Sequence, residues 1–405
     1  MTVLCSLEDC QQLEYPEMAR TVLITGGAGF IGSHCATSLL DRGYRVRALD
    51  SLDPQIHGPE RHPPPYLDRR VELIVGDVRS RRAVRRALSG VDAVIHLAAR
   101  VGVGQSMYEV ADYTDVNGRG TAILLEEMIE RSKRRPFRRL VVASSMSIYG
   151  EGFYRAADGR IVGDAARTAG QLKRGEWEPT DASGRPLAPI PTDESKPPAT
   201  QSVYALSKYD QERLCLVVAE AYDIPAAALR FFNVYGPHQA LSNPYSGVLA
   251  IFAARLLNHR APLIFEDGEQ RRDFVHVRDI VEACRLALEN DAAIGRAFNI
   301  GSGRAVTISE VARLLADALG IRIAPEITGE CRVGDIRHCF PDIGAAHGAL
   351  GYQPRTAIEF GVAELARWLK GQVAVDRVGE ARAALAARGL SFGEPRLVAG
   401  GLSAA

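Results

Sequence analysis

From Thr21 onward short β-rich runs alternate with segments of helical period, and this alternation constrains the fold more than any other feature. TVLIT (21–25) precedes a segment in which Ile31, Cys35 and Leu39 recur at four-residue spacing, and Gly43 stops it before YRVRALD leads to Asp50. The pattern repeats through VELIVGD ending at Asp77, an Arg-rich helix over 80–89 and VDAVIHLAA at 91–99. A helix over about 117–132 feeds RLVVASS at 139–145, and another from near Ser202 to about Tyr222 feeds AAALRFFN. Strands and helices in this succession predict an α/β fold, a parallel sheet covered on both faces. Right-handed crossovers make it doubly wound.

The segment from Glu151 to Pro198 breaks the rhythm. It is rich in Pro, Gly, Asp and Arg and reads as a surface insertion with a hairpin around Asp158-Gly159. Beyond Pro237 short strands and helices, among them ISEVARLLADALG at 308–320, read as a smaller α/β lobe. Residues after about 371 read as peripheral, and no internal repeat is visible.

Lys plus Arg and Asp plus Glu both total 49, so the net charge is zero. That balance excludes a global basic field for nucleic acid and a polybasic membrane anchor. The most apolar run, Val248 to Ala254, is too short to span a bilayer. Seven cysteines in a long chain argue against a disulfide framework. The first twenty residues carry Glu8, Asp9, Glu14 and Glu17 and do not resemble a signal peptide. These features predict a cytoplasmic protein with reduced thiols, without nucleic-acid or membrane partners.

TGGAGFIG at 25–32 follows a predicted strand and opens a predicted helix. Gly26 permits a tight turn, Gly29 lets backbone N–H groups approach a diphosphate, and Gly32 lets the helix pack against the sheet. The helix N-terminus adds free donors and the positive end of its dipole. Asp50, ending the second strand 24 residues after Gly26, can accept from an adenosine ribose diol and repels a 2′-phosphate. This is a Rossmann-type cradle that favours NAD over NADP. Asp77 reads equally as a contact to the adenine edge and as a turn-forming residue, while Arg45 and Arg47 read as surface or crossover charges.

Tyr204-Ala-Leu-Ser-Lys208 opens a later helix, and spacing of four puts Tyr204 and Lys208 on one face. A nearby ammonium favours phenolate, so the pair predicts a tyrosine pKa lowered toward working pH. Such a tyrosine can take a proton from a hydroxyl as hydride leaves the same carbon.

TGGAGFIGSH, HLAA at 96–99, SSMSIYG at 144–150 and YALSK at 204–208 resemble the extended short-chain dehydrogenase/reductase family. RFFNVYGP at 230–237 and RRDFVHVRD at 271–279 resemble its nucleotide-sugar epimerase and dehydratase branch. The resemblance spans about Thr21 to Leu369 apart from the insertion. It implies a Ser145, Tyr204, Lys208 catalytic set, a nucleoside diphosphate sugar substrate, and a homodimer paired through helices about 117–132 and 204–222. Leu214, Val217 and Val218 could form the seam, with burial inside the subunit as the alternative. It implies NAD contacts from the glycine loop with Phe30 and Ile31, and from Asp50, Asp77, Val78, Leu97, Ala98, Ala99, Asn117, Tyr204, Lys208 and Phe231. On the substrate side it implies Ser145, Met146, Ser147 and Asn233. Arg272 and Arg332 would pair with the diphosphate, Asp335 with the nucleotide ribose, and the backbone at Ile264 and Phe265 with the base. The division expected is an extension over 1–20, an NAD-binding domain over 21–236, a substrate lobe over 237–370 interleaved with it, and a tail over 371–405.

Family dehydratases carry an Asp-Glu pair after the catalytic hydroxyl and decarboxylases a Glu; here stand Met146 and Ser147, which do no acid–base work. Reductase-epimerases need an extra Cys and His, and Cys215 and His238 do not fit that pattern. A 4-epimerase remains. Ser145 and Tyr204 lie 59 residues apart, and QLKRGEWEP and RPLAPIPTDE resemble an elongated subgroup acting on dTDP-L-rhamnose. Some members of that subgroup carry paired cysteines here; residues 151–198 contain no Cys and no His, so no metal is expected. The alternatives are a UDP-hexose 4-epimerase, acting on UDP-glucose, UDP-N-acetylglucosamine or UDP-glucuronate, and a non-catalytic NAD-binding sensor.

Overall fold

The computed structural model describes residues 20–245 and 247–392. Nearly all of the expected N-terminal extension, with Cys5 and Cys10, and the last residues of the expected tail lie outside them. Seven strands form the central sheet: β1 (Thr21–Thr25), β2 (Arg45–Asp50), β3 (Glu72–Val75), β4 (Ala93–His96), β5 (Arg139–Ser145), β6 (Ala226–Phe231) and β7 (Arg296–Ile300). All pairs are parallel, in the order β7-β6-β5-β4-β1-β2-β3. The order reverses at β1, between β2 and β4, as a doubly wound sheet requires.

Alternating side chains feed two cores. Val22 and Ile24 point to the face covered by α1 (Phe30–Leu40), where they meet Cys35 and Leu39. Leu23 points to the other face, covered by α2 (Arg81–Leu88), α3 (Gly120–Ser132) and α4 (Val203–Ala221). A π-helical turn, Thr114–Arg119, precedes α3, so the helix expected from Asn117 becomes α-helical only at Gly120. Such wide turns recur at functional sites.

The chain crosses between lobes more than once. Strands Asn233–Tyr235, Arg271–His276, Ala305–Thr307 and His338–Cys339 form a second sheet, beside helices Val248–Leu257, Ile308–Leu319 and Ile358–Leu369. Phe252, Leu315 and Val362 lie in their common core. Between these pieces α5 (Val277–Glu289) and β7 return to the central sheet.

Two expectations are corrected. The hairpin at Asp158-Gly159 is present, with Tyr154 opposite Val162, but the insertion is no mere surface loop. Glu151, Thr192 and Lys196 are buried, Gly152 N–H donates to the His338 carbonyl (2.8 Å), and Thr192 N–H to that of Phe340 (2.9 Å). Its polar composition resembled a solvated loop because its partners lie far along the chain. Of the residues after 371, those described, up to 392, are also not peripheral. A helix, Val378–Ala386, buries Ala381 and Leu385, and Ser391–Phe392 pairs antiparallel with Cys331–Arg332. Too few apolar residues in that helix face the core to register as a period.

Behind the sheet's carboxyl edge, Arg230 donates through Nη2 and Nε to both carboxylate oxygens of Glu212 (2.6 and 3.0 Å). Ser144 Oγ adds a bond to the same carboxylate (2.6 Å), and Arg230 Nη1 reaches the Tyr149 hydroxyl (2.8 Å). Both charges are buried, so removing one partner strands the other. Arg230→Met should destabilise the fold by about 3–5 kcal/mol, and the double change with Glu212→Leu should recover most of it. Denaturant midpoints of the three variants check this.

Candidate active site

A cavity of about 560 Å³ opens along the carboxyl edge of the central sheet, within the range of small-molecule sites. The glycine loop forms one wall. Gly26 has φ +69°, and a Cβ on Gly32 would stand 2.2 Å from the Gly26 carbonyl oxygen, so loop and helix touch backbone to backbone. Gly29 is the N-cap of α1, and no side chain caps the helix, which leaves first-turn N–H groups for an anion. Asp50 Oδ2 accepts from Ala28 N–H (3.0 Å) and Oδ1 from Leu52 N–H (2.9 Å). The carboxylate therefore braces the loop and also lines the cavity. Uncapped donors beside a loop with no room for a Cβ at Gly27 or Gly32, with an acidic residue at the next strand end, fit the diphosphate and ribose of NAD.

The other positions expected to contact the cofactor line the cavity, with one exception. Phe30, Ile31, Val78, Leu97, Ala98, Ala99 and Phe231 line the cavity. Asp77 does so while accepting from Arg79 N–H (2.7 Å) and its guanidinium, which joins the turn-forming reading to the lining one. Burial pushes the Asp77 carboxyl up, but Arg79 outweighs it and holds the pKa below the usual range. Asn117 lies behind the wall rather than on it. Fully buried, it accepts from Arg100 N–H (2.7 Å) and donates to the Arg100 carbonyl (3.1 Å) and Ser207 Oγ (2.9 Å). It ties the π-helical turn to α4.

Ser145 ends β5 and caps the short turn Met146–Tyr149. Its Oγ accepts from Ser147 N–H (3.2 Å) and Ser147 Oγ (2.9 Å), which leaves its own O–H to donate. The Ser145 hydroxyl favours the Tyr204 phenolate. Ser202 caps α4, and Tyr204 N–H, otherwise an orphan of the first turn, donates to Ser106 Oγ (3.0 Å). Met146, Ser147 and Lys208 complete this end of the cavity.

The tyrosine expectation is corrected. Burial raises the Tyr204 pKa above its ordinary value, with the Ser145 hydroxyl opposing the rise. The Lys208 ammonium is turned elsewhere: Nζ donates to Gln211 Oε1 (2.7 Å), and burial lowers its pKa to about 8. Gln211 Nε2 in turn contacts His96 Nε2 (3.2 Å) and donates to Thr121 Oγ1 (2.8 Å), while His96 Nδ1 meets Thr25 Oγ1 (2.7 Å). Burial, with Lys208 nearby, holds His96 at about 3, so it is neutral.

Of the other residues expected on the substrate side, Asn233 lines the cavity, and its buried Oδ1 has no hydrogen-bond partner. The others lie off the cavity wall. Arg332 forms a bidentate pair with Asp335 (2.8 and 3.2 Å) and lies 4.3 Å over the Phe265 ring. Arg272 donates to the carbonyls of Arg271 and Arg337 (2.9 and 2.8 Å) and of Ile336. The Ile264 carbonyl accepts from Thr328 N–H (2.8 Å) and the Phe265 carbonyl from Gln270 (2.8 Å), so both acceptors expected for a base are engaged within the protein.

Sequence reasoning missed Gln211, His57 and a glutamine bridge. The i,i+3 spacing from Lys208 could have found Gln211. His57 lies 3.6 Å from Asp50 with its Nδ1 buried and unpartnered, and Gln55 donates to Gln105 (3.1 Å) and Asn243 (2.9 Å) across the cavity. Both come from a single-turn helix, Pro54–His57, too short to show a period and marked only by Asp53 as its N-cap and Pro54 at its first position.

Asp50→Ala should narrow the preference for NAD over NADP about tenfold or more, since a hydrogen bond to a charged group contributes about 1.5–3 kcal/mol. Titration of both dinucleotides into wild type and variant checks this; tighter wild-type binding of NADP refutes the assignment.

Residues 22–301 match the NAD dependent epimerase/dehydratase family. A dTDP-L-rhamnose 4-epimerase of Burkholderia thailandensis is 35% identical over 352 residues, 86% of this chain and 95% of that protein. The crystal structure of a UDP-glucose 4-epimerase from Thermotoga maritima with UDP-glucose has a TM-score of 0.70 at 29% identity, covering 86% of this chain and 98% of that one. A UDP-glucose 4-epimerase of Thermus thermophilus in complex with NAD has a TM-score of 0.69 at 28% identity, covering 87% and 100%. A family match that runs from the first strand of the central sheet to the last makes this chain a member of the NAD dependent epimerase/dehydratase family, with NAD as its cofactor.

Proposed function

We propose that this protein inverts C4 of a nucleoside diphosphate sugar, and that its substrate pair is dTDP-L-rhamnose and dTDP-6-deoxy-L-talose. The observation that carries the reaction class is that Ser145, Tyr204 and Lys208 line one cavity with the glycine loop, with Met146 and Ser147 where an elimination would need an acid and a base. Held by the glycine loop and Asp50, NAD would supply a reversible hydride acceptor for C4, with no net redox change. Tyr204 Oη takes the C4 hydroxyl proton, and Ser145, oriented by Ser147, stabilises the oxygen that loses it. Lys208 supplies positive charge one helical turn away. The 4-keto sugar turns over between the two transfers, so the diphosphate must stay anchored. Asn233 Oδ1, buried and unpaired, is available to a substrate hydroxyl, and Arg272 and Arg332 are the proposed diphosphate partners. Arg332 would exchange its pairing with Asp335 for that role, freeing Asp335 for the ribose and the Phe265 ring for the base.

The identity of the sugar rests on likeness to the Burkholderia enzyme and on the insertion segments that resemble its subgroup. A UDP-hexose 4-epimerase is the second reading, supported by the fold shared with the Thermotoga enzyme. The same reading assigns 21–236 to NAD, 237–370 mainly to substrate, and the protein to the cytoplasm. Among the described residues no helix is long and apolar enough to cross a membrane.

Incubation with dTDP-L-rhamnose should yield a second epimer, seen as a changed C4 proton coupling by NMR. Tyr204→Phe should lower turnover by at least about 10²–10⁴-fold while NAD stays bound. Exclusive conversion of UDP-glucose or UDP-N-acetylglucosamine hands the substrate to the second reading; near wild-type turnover in Tyr204→Phe sinks the mechanism.

A homodimer is part of this proposal. On α4, Leu214 and Val218 pack partly into the subunit's own core, which reduces the expected seam to the exposed Val217; Leu206, outside that seam, is also exposed. Light scattering at micromolar concentration should give twice the chain mass of 43.9 kDa, and a monomer counts against the dimer.

A further inference from the structure

The segment from Cys331 to His338 carries Arg332 and Asp335 but has little regular structure, with a two-residue strand at its start and another that begins at His338. It is gripped from outside. Arg167, from the insertion, has a side chain only 5% exposed. Its Nη2 donates to the Asp335 carbonyl (2.9 Å), its Nη1 to the Glu266 carboxylate (2.6 Å), and its Nε lies 3.3 Å from Glu151. Glu266 directly follows Phe265. One guanidinium thus joins the insertion to both segments that meet in the Arg332–Phe265 stack.

The surrounding charges repeat the grip. Arg337 donates to Glu178 (2.5 and 2.9 Å), Asp267 (2.6 and 2.9 Å) and Glu266 (3.0 Å). Glu151 accepts from the backbone N–H groups of Arg337 (2.8 Å) and His338 (3.1 Å). A loop that only covered apolar surface would need none of this, and the insertion already has its own apolar cluster in Tyr154, Ala156 and Leu187. What buried forks add is direction: planar donors fix the segments they bridge at set angles.

We propose that the 151–198 insertion is a positioning element for the nucleoside diphosphate half of the substrate, acting through Arg167. The inference rests on the reading of Arg332, Asp335 and Phe265 as nucleotide contacts. Arg167 itself touches neither substrate nor cofactor. It sets the backbone at 335 and 266 so that ribose, base and diphosphate partners converge on one ligand.

The test is calorimetric titration of the NAD-loaded protein with dTDP and with UDP, followed by steady-state kinetics on the nucleotide sugar turned over. Arg167→Met should weaken binding of the preferred nucleotide about tenfold and raise KM by a similar factor, with kcat within about threefold and bound NAD unchanged. Arg167→Lys keeps the charge without the fork and should fall between; it carries the test if the Met variant does not fold. Glu178→Gln, nearer the surface, should give a smaller loss in the same direction and serves if neither folds. Unchanged nucleotide affinity in these folded, NAD-loaded variants overturns the proposal, as do equal losses of NAD and nucleotide, which mark a general stability role. Wild-type protein that binds neither dTDP nor UDP overturns the nucleotide-sugar reading instead.

Discussion

Parallel pairing makes neighbouring strands end on the same edge, so residues far apart in sequence emerge side by side. Thr25 stands opposite Leu49 on one side and His96 on the other, and Ser145 stands opposite Phe231. The residues that follow, Gly26, Asp50, Leu97 and Met146, therefore meet along one line without any long-range search by their side chains. The reversal of strand order between β2 and β4 opens a crevice in that line. The backbone contact between Gly32 and Gly26 then sets α1 against the crevice with its amide donors inward. Site and fold are consequences of the same pairing.

This is why so much was legible in the sequence. The periods of TVLIT, RLVVASS and AAALRF are local properties, and each becomes a strand within a residue or two of where its pattern lies. Tyr204 and Lys208 were legible because four residues on a helix fix a face. What failed to register depends on contacts that no local pattern encodes. The insertion is polar, as a solvated loop would be, and only the positions of Arg337 and Glu266 reveal that its charges are buried. Asn117 was assigned to the cofactor, yet the wide turn that carries it aims its amide at Arg100 and Ser207 instead. The Arg332–Asp335 pair, three residues apart, satisfies locally what was expected to wait for a ligand.

Two ways of burying charge coexist. Around Arg337 each cation meets several carboxylates, and the network is electrostatically closed. Such clusters hold geometry at the expense of desolvation. The catalytic helix is built differently: Lys208 donates to a neutral amide, and the chain beyond it, Gln211, His96 and Thr25, is neutral too.

The difference follows from where Glu212 spends its charge. At i+4 from Lys208 on α4 it is the natural helical partner of the ammonium, and a direct pair would cancel much of the lysine's field at Tyr204. Arg230 instead takes both of its oxygens, with Ser144 adding a third bond. Burial lowers the lysine pKa only to about 8, so at neutral pH most of the protein still carries the ammonium. In a low-dielectric site, a charge held by an amide acts over a longer range than one locked to a carboxylate. On the proposed mechanism the ammonium, one helical turn from Tyr204, supplies positive charge as the Tyr204 oxygen becomes negative. That oxygen is raised in pKa by burial while the protein is at rest, and it needs such a field when the proton moves. By taking both oxygens of Glu212, Arg230 leaves the Lys208 ammonium to a neutral amide, with Glu212 acting on it only from a distance.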